Sequence, residues 1–158
     1  MEISSEELTI IVDADACPVK KEIVLTAKAF RVPVAMVASY DHRLQPEEGV
    51  RIVQVDRSQQ SADLFIANLV KAHDILVTQD FGLAAIGLAK GAVVLSNRGQ
   101  IYNNENIGFL LERRHEHAKQ RRNGHYGKGP KPFTEEDRVN FLHTLTKTLE
   151  HLQENSSL

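Results

Sequence analysis

The feature that most constrains this chain is a repeated alternation. Short runs rich in aliphatic and β-branched residues recur, and most are followed by a stretch with helical spacing. Residues 8–12 form the first run, closed by Asp13, and residues 34–38, 50–55, 75–78 and 92–95 repeat it. A strand buried on both faces reads as a continuous apolar run, so these runs predict strands of a parallel sheet. Between them, Ile23, Val24, Ala27 and Phe30 recur at helical spacing after Pro18, which suits a first helical turn, and the pattern stops at Pro33. Leu64, Ile66, Leu69 and Val70 mark a second helix from Ser61, as its cap, to about residue 72. Residues 83–90 mark a third, closed by Gly91. The order is strand, helix, strand, strand, helix, strand, helix, strand. It predicts an α/β fold in three layers, a mostly parallel sheet with helices on both faces.

Two further helices complete the reading, over residues 107 to about 122 and 134 to about 152. The second is amphipathic and opens with the capping-box pattern Thr134-x-x-Asp137. Residues 123–133, with three Gly and two Pro, form a loop between them. With no internal repeat or linker in 158 residues, one domain over 1–158 is expected. No apolar run approaches the roughly 20 residues of a membrane span. Residues 1–7 lack the basic-then-apolar order of a signal peptide, and the lone Cys17 excludes an internal disulfide. A cytoplasmic protein is therefore expected.

Charge is unevenly placed. Residues 113–131 hold seven basic side chains, Arg113, Arg114, Lys119, Arg121, Arg122, Lys128 and Lys131, against the one acid Glu116. That stretch carries +6 in a chain of net charge −2, which leaves −8 for the rest. Such asymmetry reads either as a face for a polyanion, RNA above all, or as a solvated helix.

In an open parallel sheet ligands bind beyond the carboxyl ends of the strands. Asp13 and Asp80 sit there, Asp15 follows Asp13 by two residues, and Asp63 lies in the first turn of its helix, where the dipole favours a carboxylate. Four converging acids repel one another unless a hard divalent cation such as Mg²⁺ or Mn²⁺ takes up the charge. Against this, each Asp taken singly is an ordinary cap or turn residue. Asp74 precedes its strand, so a structural role at the opposite edge is expected.

The segments Val12-Asp13-Ala14-Asp15-Ala16-Cys17-Pro18-Val19-Lys20, Ser61-Ala62-Asp63, Asp74-Ile75-Leu76-Val77-Thr78-Gln79-Asp80 and Arg98-Gly99, with Arg121, Gly124, Gly129-Pro130 and Phe133, resemble the YaiI/YqxD family of uncharacterised bacterial proteins. The family is similar to PIN-like domains, metal-dependent nucleases with an Asp ending the first strand, another opening a helix and a third after a Thr-x-Asp strand end. The resemblance implies a PIN-like fold and metal-ligand roles for Asp13, Asp63 and Asp80. PIN domains usually add an acid in an early helix, for which Glu22 is available and Asp15 better positioned. This chain has Gln60 where the family often carries an acid, and His73 where it has Gly.

Other residues are assigned on their chemistry. Cys17 has no His partner in the sequence and reads as a packing residue. His115 and His117 are two apart on a helix and cannot chelate together. Residues 124–131 lack phosphate-loop spacing and follow a helix. Leu142, Leu145, Leu149 and Leu152 make a stripe for internal packing or, alternatively, a homodimer. Arg98 reaches either a phosphate near the acids or backbone carbonyls. Three functions follow. The first is a Mg²⁺- or Mn²⁺-dependent nuclease acting on RNA at Asp13, Asp15, Asp63 and Asp80, with Arg98 and the seven basic residues binding nucleic acid. The second is a haloacid-dehalogenase-like phosphatase with Asp13 as nucleophile, Asp15 as general acid, and Thr78 and Lys90 on phosphate. The third is a non-enzymatic RNA-binding protein with a vestigial metal site.

Overall fold

A computed structural model describes residues 7–39, 45–56, 61–127 and 131–156. Among the described residues six strands form one sheet: β1 (Ile10–Asp13), β2 (Val34–Ser39), β3 (Val50–Val55), β4 (Ile75–Val77), β5 (Val93–Leu95) and β6 (Ile101–Tyr102). Five α-helices among the described residues accompany it: α1 (Lys20–Phe30), α2 (Ser61–Leu69), α3 (Phe81–Ala89), α4 (Asn104–Arg122) and α5 (Glu135–Ser156). The strand order is β3-β2-β1-β4-β5-β6. All neighbours run parallel except β5 and β6. This is the three-layer α/β arrangement that the apolar runs predict.

The two-residue period of a strand sorts the core into two halves. Ile10, Val12, Val34, Met36, Ile75 and Val77 face α1 and α5 and meet Ile23, Phe141, Leu145 and Leu149. Ile11, Val37, Leu76 and Val94 face the other way, toward Ile66 of α2, Leu83 and Ala84 of α3 and Ile107 of α4. Phe141, Leu145 and Leu149 stand four apart on one face of α5 and are fully buried, each worth roughly 1.5–3 kcal/mol of transfer free energy. The leucine stripe is therefore taken up inside the molecule. Of its four members only Leu142 is exposed, so the stripe offers no continuous apolar seam to a second copy. The Thr134 capping box forms with both of its bonds. The Asp137 amide donates to Thr134 Oγ1 at 3.1 Å, and the Thr134 amide donates to Asp137 Oδ2 at 3.0 Å.

Two elements depart from the sequence reading. β6 is a two-residue strand that hairpins back on β5 through a turn in which Gly99 takes φ +84° and Ser96 Oγ accepts the amides of Arg98 and Gln100. At two residues it is too short to show a period. α4 begins at Asn104, earlier than expected, because Asn103 and Asn106 cap it reciprocally at 2.8 and 2.9 Å.

From β1 the chain winds outward to β2 and β3 and then returns through α2 to β4, on the other side of β1. The winding direction reverses between β1 and β4. In open parallel sheets ligands bind beyond the carboxyl ends of the strands at such a reversal.

Candidate functional site

Alternation places Asp13 on the α2 and α3 side of β1, opposite to Val12. Asp63, in the first turn of α2, and Asp80, the N-cap of α3, reach the same end of the sheet. Each is fixed differently. Thr78, buried just after β4, donates its hydroxyl to Asp13 Oδ2 at 3.0 Å and accepts the Asp80 amide at 3.0 Å, so one side chain ties the first acid to the third. Asp80 Oδ1 accepts the Leu83 amide at 3.0 Å. Gly82 leaves room beside that oxygen, since a Cβ there would stand 3.2 Å from it.

The electrostatics are those of acids short of counter-charge. Burial first, then the Asp80 and Asp13 carboxylates, push Asp63 up to about 6, and a hydrogen bond shared with Asp80 adds to the shift. Asp13 is also raised, chiefly by burial and further by Asp15 and Asp80, against the lowering effect of the Thr78 hydroxyl. Among the described residues one cation makes an ion pair with these three acids. Arg114 of α4 approaches Asp80 Oδ1 at 3.7 Å.

Asp15, which acts on Asp13 through its charge, has partners of its own. It lies in a single 3-10 turn (Ala14–Ala16), and its Oδ1 accepts the Ser39 amide at 2.9 Å and the Ser39 hydroxyl at 3.3 Å at the end of β2. The same turn is held from the other side by Asn97, whose side-chain amide donates to the Ala16 carbonyl at 3.0 Å. The structure thus brings Asp13, Asp63 and Asp80 together and sets Asp15 beside them as a brace on the turn after β1. Ser39, Asn97 and the bridging role of Thr78 depend on register between strands distant in sequence, which local patterns do not carry. Glu22 is engaged elsewhere, accepting two bonds from Arg138 at 2.9 and 3.1 Å.

The basic residues divide. Arg113, Lys119, Arg121 and Arg122 are exposed on α4, with the Arg113 guanidinium 5.7 Å from the exposed Phe109 ring. The Lys131 side chain is exposed, and Lys128 lies outside the described residues. The Arg98 guanidinium bonds Asp137 at 2.6 Å, the Pro132 carbonyl at 3.3 Å and the Lys131 carbonyl, and it lies 5.8 Å from the Phe133 ring. Of its two expected uses, it makes the one on backbone carbonyls. Arg138 approaches the same ring at 5.2 Å and bonds the Pro18 carbonyl at 2.9 Å, which clasps the loop before α5 to the loop after β1.

Several assignments are settled by placement. Lys90, expected on phosphate in the phosphatase reading, closes α3 at the far end from Asp80, about 13 Å of helix away. Its ammonium donates to the Ala67 carbonyl. Lys90 cannot serve a phosphate at Asp13. Cys17 is buried, and that burial pushes its thiol up to about 11, as befits a packing residue. Asp74 is buried at the amino edge of the sheet, where it accepts from the Thr9 amide at 3.1 Å, the Lys71 amide at 3.0 Å and the Lys71 ammonium at 2.7 Å. No helix among the described residues is long and apolar enough to cross a membrane.

The donor set, hard carboxylate oxygens from three elements, suits Mg²⁺ or Mn²⁺. Among the described residues no three acidic, His or Cys side chains stand as a ready ligand group. An ion of the magnesium type needs only one or two carboxylates and keeps water on its other positions. Asp63 and Asp80 feel each other's charge and that of Asp13, so these are the carboxylates that would hold such an ion.

Comparison with known proteins places the sequence in a family. Residues 11–151 match the model of a family described as "Uncharacterized BCR, YaiI/YqxD family". A UPF0178 protein of Bacillus pumilus is 54% identical over 146 residues, covering 90% of this chain and 87% of its own. A UPF0178 protein of Listeria monocytogenes is 48% identical over 142 residues, with 90% and 95% covered. One from Halalkalibacterium halodurans is 42% identical over 148 residues, with 94% of each chain covered. No solved structure matches the chain.

Proposed function

The chain belongs to the YaiI/YqxD family of uncharacterised bacterial proteins, a membership that carries no activity with it, and for this member we propose a divalent-metal-dependent nuclease with RNA as favoured substrate. One observation carries the reading. Asp13, Asp63 and Asp80 converge from three elements beside the point where the sheet's winding reverses, close enough that burial and mutual repulsion raise Asp63 to about 6. Acids caught in that state gain most from a hard dication. Asp13, Asp63 and Asp80 would hold Mg²⁺ or Mn²⁺, which when bound would supply the charge that activates water and offsets negative charge on a phosphodiester.

The chain's own residues do the rest. The Thr78 hydroxyl holds Asp13 Oδ2 and the Leu83 amide holds Asp80 Oδ1, so both carboxylates are oriented before any ligand arrives. Asp15 and Asn97 keep the turn after β1 in place. Lys119, Arg121 and Arg122, on the exposed end of α4, supply the sequence-independent attraction for a phosphate backbone.

A non-enzymatic RNA-binding protein with a weak cation site is the second reading. The observation favouring it is that the acids do not already stand as a three-ligand group. Incubation with mixed RNA and DNA substrates, in Mn²⁺ and then in chelator, separates the two. Cleavage should require the metal and fall by orders of magnitude in Asp13→Asn and in Asp80→Asn. Unchanged cleavage by either variant rejects the nuclease.

A further inference from the structure

We infer that Arg114 is the resident counter-cation of the acid cluster, and that it yields Asp80 to a divalent ion when a polyanion engages α4, so that the two ligands bind with positive coupling. The inference rests on reading Asp13, Asp63 and Asp80 as a cation site. It concerns how that site is regulated.

Of the five described basic residues near the end of α4, Arg114 is the one turned to the body of the molecule. It lies on the helix face of buried Ile107 and half-buried Leu110, whereas its neighbour Arg113 lies over the exposed Phe109. Its path crosses the first turn of α3 at Gly82, where a Cβ would come within 4.0 Å of the Arg114 Nη2 atom and 3.2 Å of Asp80 Oδ1. The contact itself is loose. At 3.7 Å, with side chains 55% and 36% exposed, it is an ion pair without a hydrogen bond and is easily exchanged. A guanidinium and a dication cannot both sit close to Asp80 Oδ1 without repelling each other. A phosphate offers the same guanidinium two oxygens in the planar geometry it binds best. Arg114 therefore stands between a cation site and an anion-binding helix, and leaving the first for the second relieves the competition. Linkage requires the effect to be mutual, so metal raises polyanion affinity by the factor by which polyanion raises metal affinity.

Calorimetric titration of Mn²⁺ into the full chain tests this without relying on catalysis. Arg114→Gln should bind Mn²⁺ roughly two- to fivefold more tightly than wild type. Arg113→Gln, the same change of charge one residue away, should shift it less. A saturating 2′-O-methyl oligoribonucleotide should tighten Mn²⁺ binding in wild type and do so less in Arg114→Gln. Equal or weaker Mn²⁺ binding by Arg114→Gln, or an equal gain in Arg113→Gln, would overturn the inference while wild-type binding sensitive to Asp13→Asn kept the cation site. Absence of Mn²⁺ binding in wild type and in Arg114→Gln alike would remove both. Binding that appears only in Arg114→Gln would be the strongest support.

Discussion

β4 is flanked by two aspartates with opposite surroundings. Asp74, before it, is 1% exposed, and its two oxygens take two backbone amides and the Lys71 ammonium. Asp80, after it, takes one amide and a loose guanidinium, and faces two more acids. The amino edge of the sheet is thus assembled from complementary groups, and the carboxyl edge from groups that oppose one another. Capping alone does not require Asp13 and Asp63 beside Asp80. The contrast teaches that acids at the two ends of one strand are treated differently, compensated at the amino end and set against other acids at the carboxyl end.

The contrast can be broken from its stable side first. Asp74→Ala leaves the Thr9 and Lys71 amides without their acceptor, and should lower the unfolding free energy by about 3 kcal/mol in urea titration. Asp63→Asn is the opposite case. Removing one of the repelling acids should leave the metal-free protein equally or more stable. Metal at about 100 times its dissociation constant should add roughly 2.7 kcal/mol to wild type and much less to Asp63→Asn, as read from melting temperatures against a NaCl control. No metal-linked shift in wild type, together with a destabilised Asp63→Asn, would return Asp63 to a helix-start role.

A smaller test lies at the amino edge. His73 takes φ +72°, the left-handed region that glycine enters without strain. His73→Gly should raise stability by up to about 1 kcal/mol, since relief of strain is partly offset by the greater freedom of glycine in the unfolded chain. A scanning melt would show this as about 3 °C.

The last test is a slope with pH. Asp63 is raised in the fold, so between its ordinary 3.8 and about 6 the folded chain holds a proton that the unfolded chain has released. Its contribution to stability is therefore greatest below that window and is lost as pH rises through about 6. Asp137 is lowered, first by the Thr134 amide and with help from Arg98, so its contribution has the opposite sign and is lost as pH falls. Metal-free Asp63→Asn should lose the falling component between pH 4 and 6. An unchanged profile would mean that the acids do not feel one another.

What could be read from the residues alone follows from how local each signal is. The apolar runs gave β1 to β5: burial on both faces leaves its mark within β1, β2 and β4, and in the edge strand β3 the aliphatic residues Val50, Ile52, Val53 and Val55 carry the signal. Asp13, Asp63 and Asp80 were legible as strand-end and helix-start acids. That Asp15 turns to Ser39 was not, because the register of β1 against β2 decides it. β6 rests on a turn at Gly99 and on the edge-on packing of Tyr102 against Phe81, ring centroids 6.0 Å apart, and neither shows as a period. Arg98 sits among plausible phosphate ligands by type, and only the arrival of α5 beside it directs its guanidinium to Asp137. Arg114 could have been singled out, since it falls three and four residues after the apolar Leu111 and Leu110.

The uneven anchoring of α4 has a consequence for solvent exchange. Ile107 fixes its first turn in the core, yet from Glu112 onward every residue except Ala118 is exposed. Amide protons over residues 119–122 can therefore exchange by fraying of the last turn, whereas those around Phe141, Leu145 and Leu149 of α5 must wait for the whole core to open. Lys119, Arg121 and Arg122 thus stand on a helix end that no core contact holds. A bound strand would slow exchange there first and leave α5 as it was.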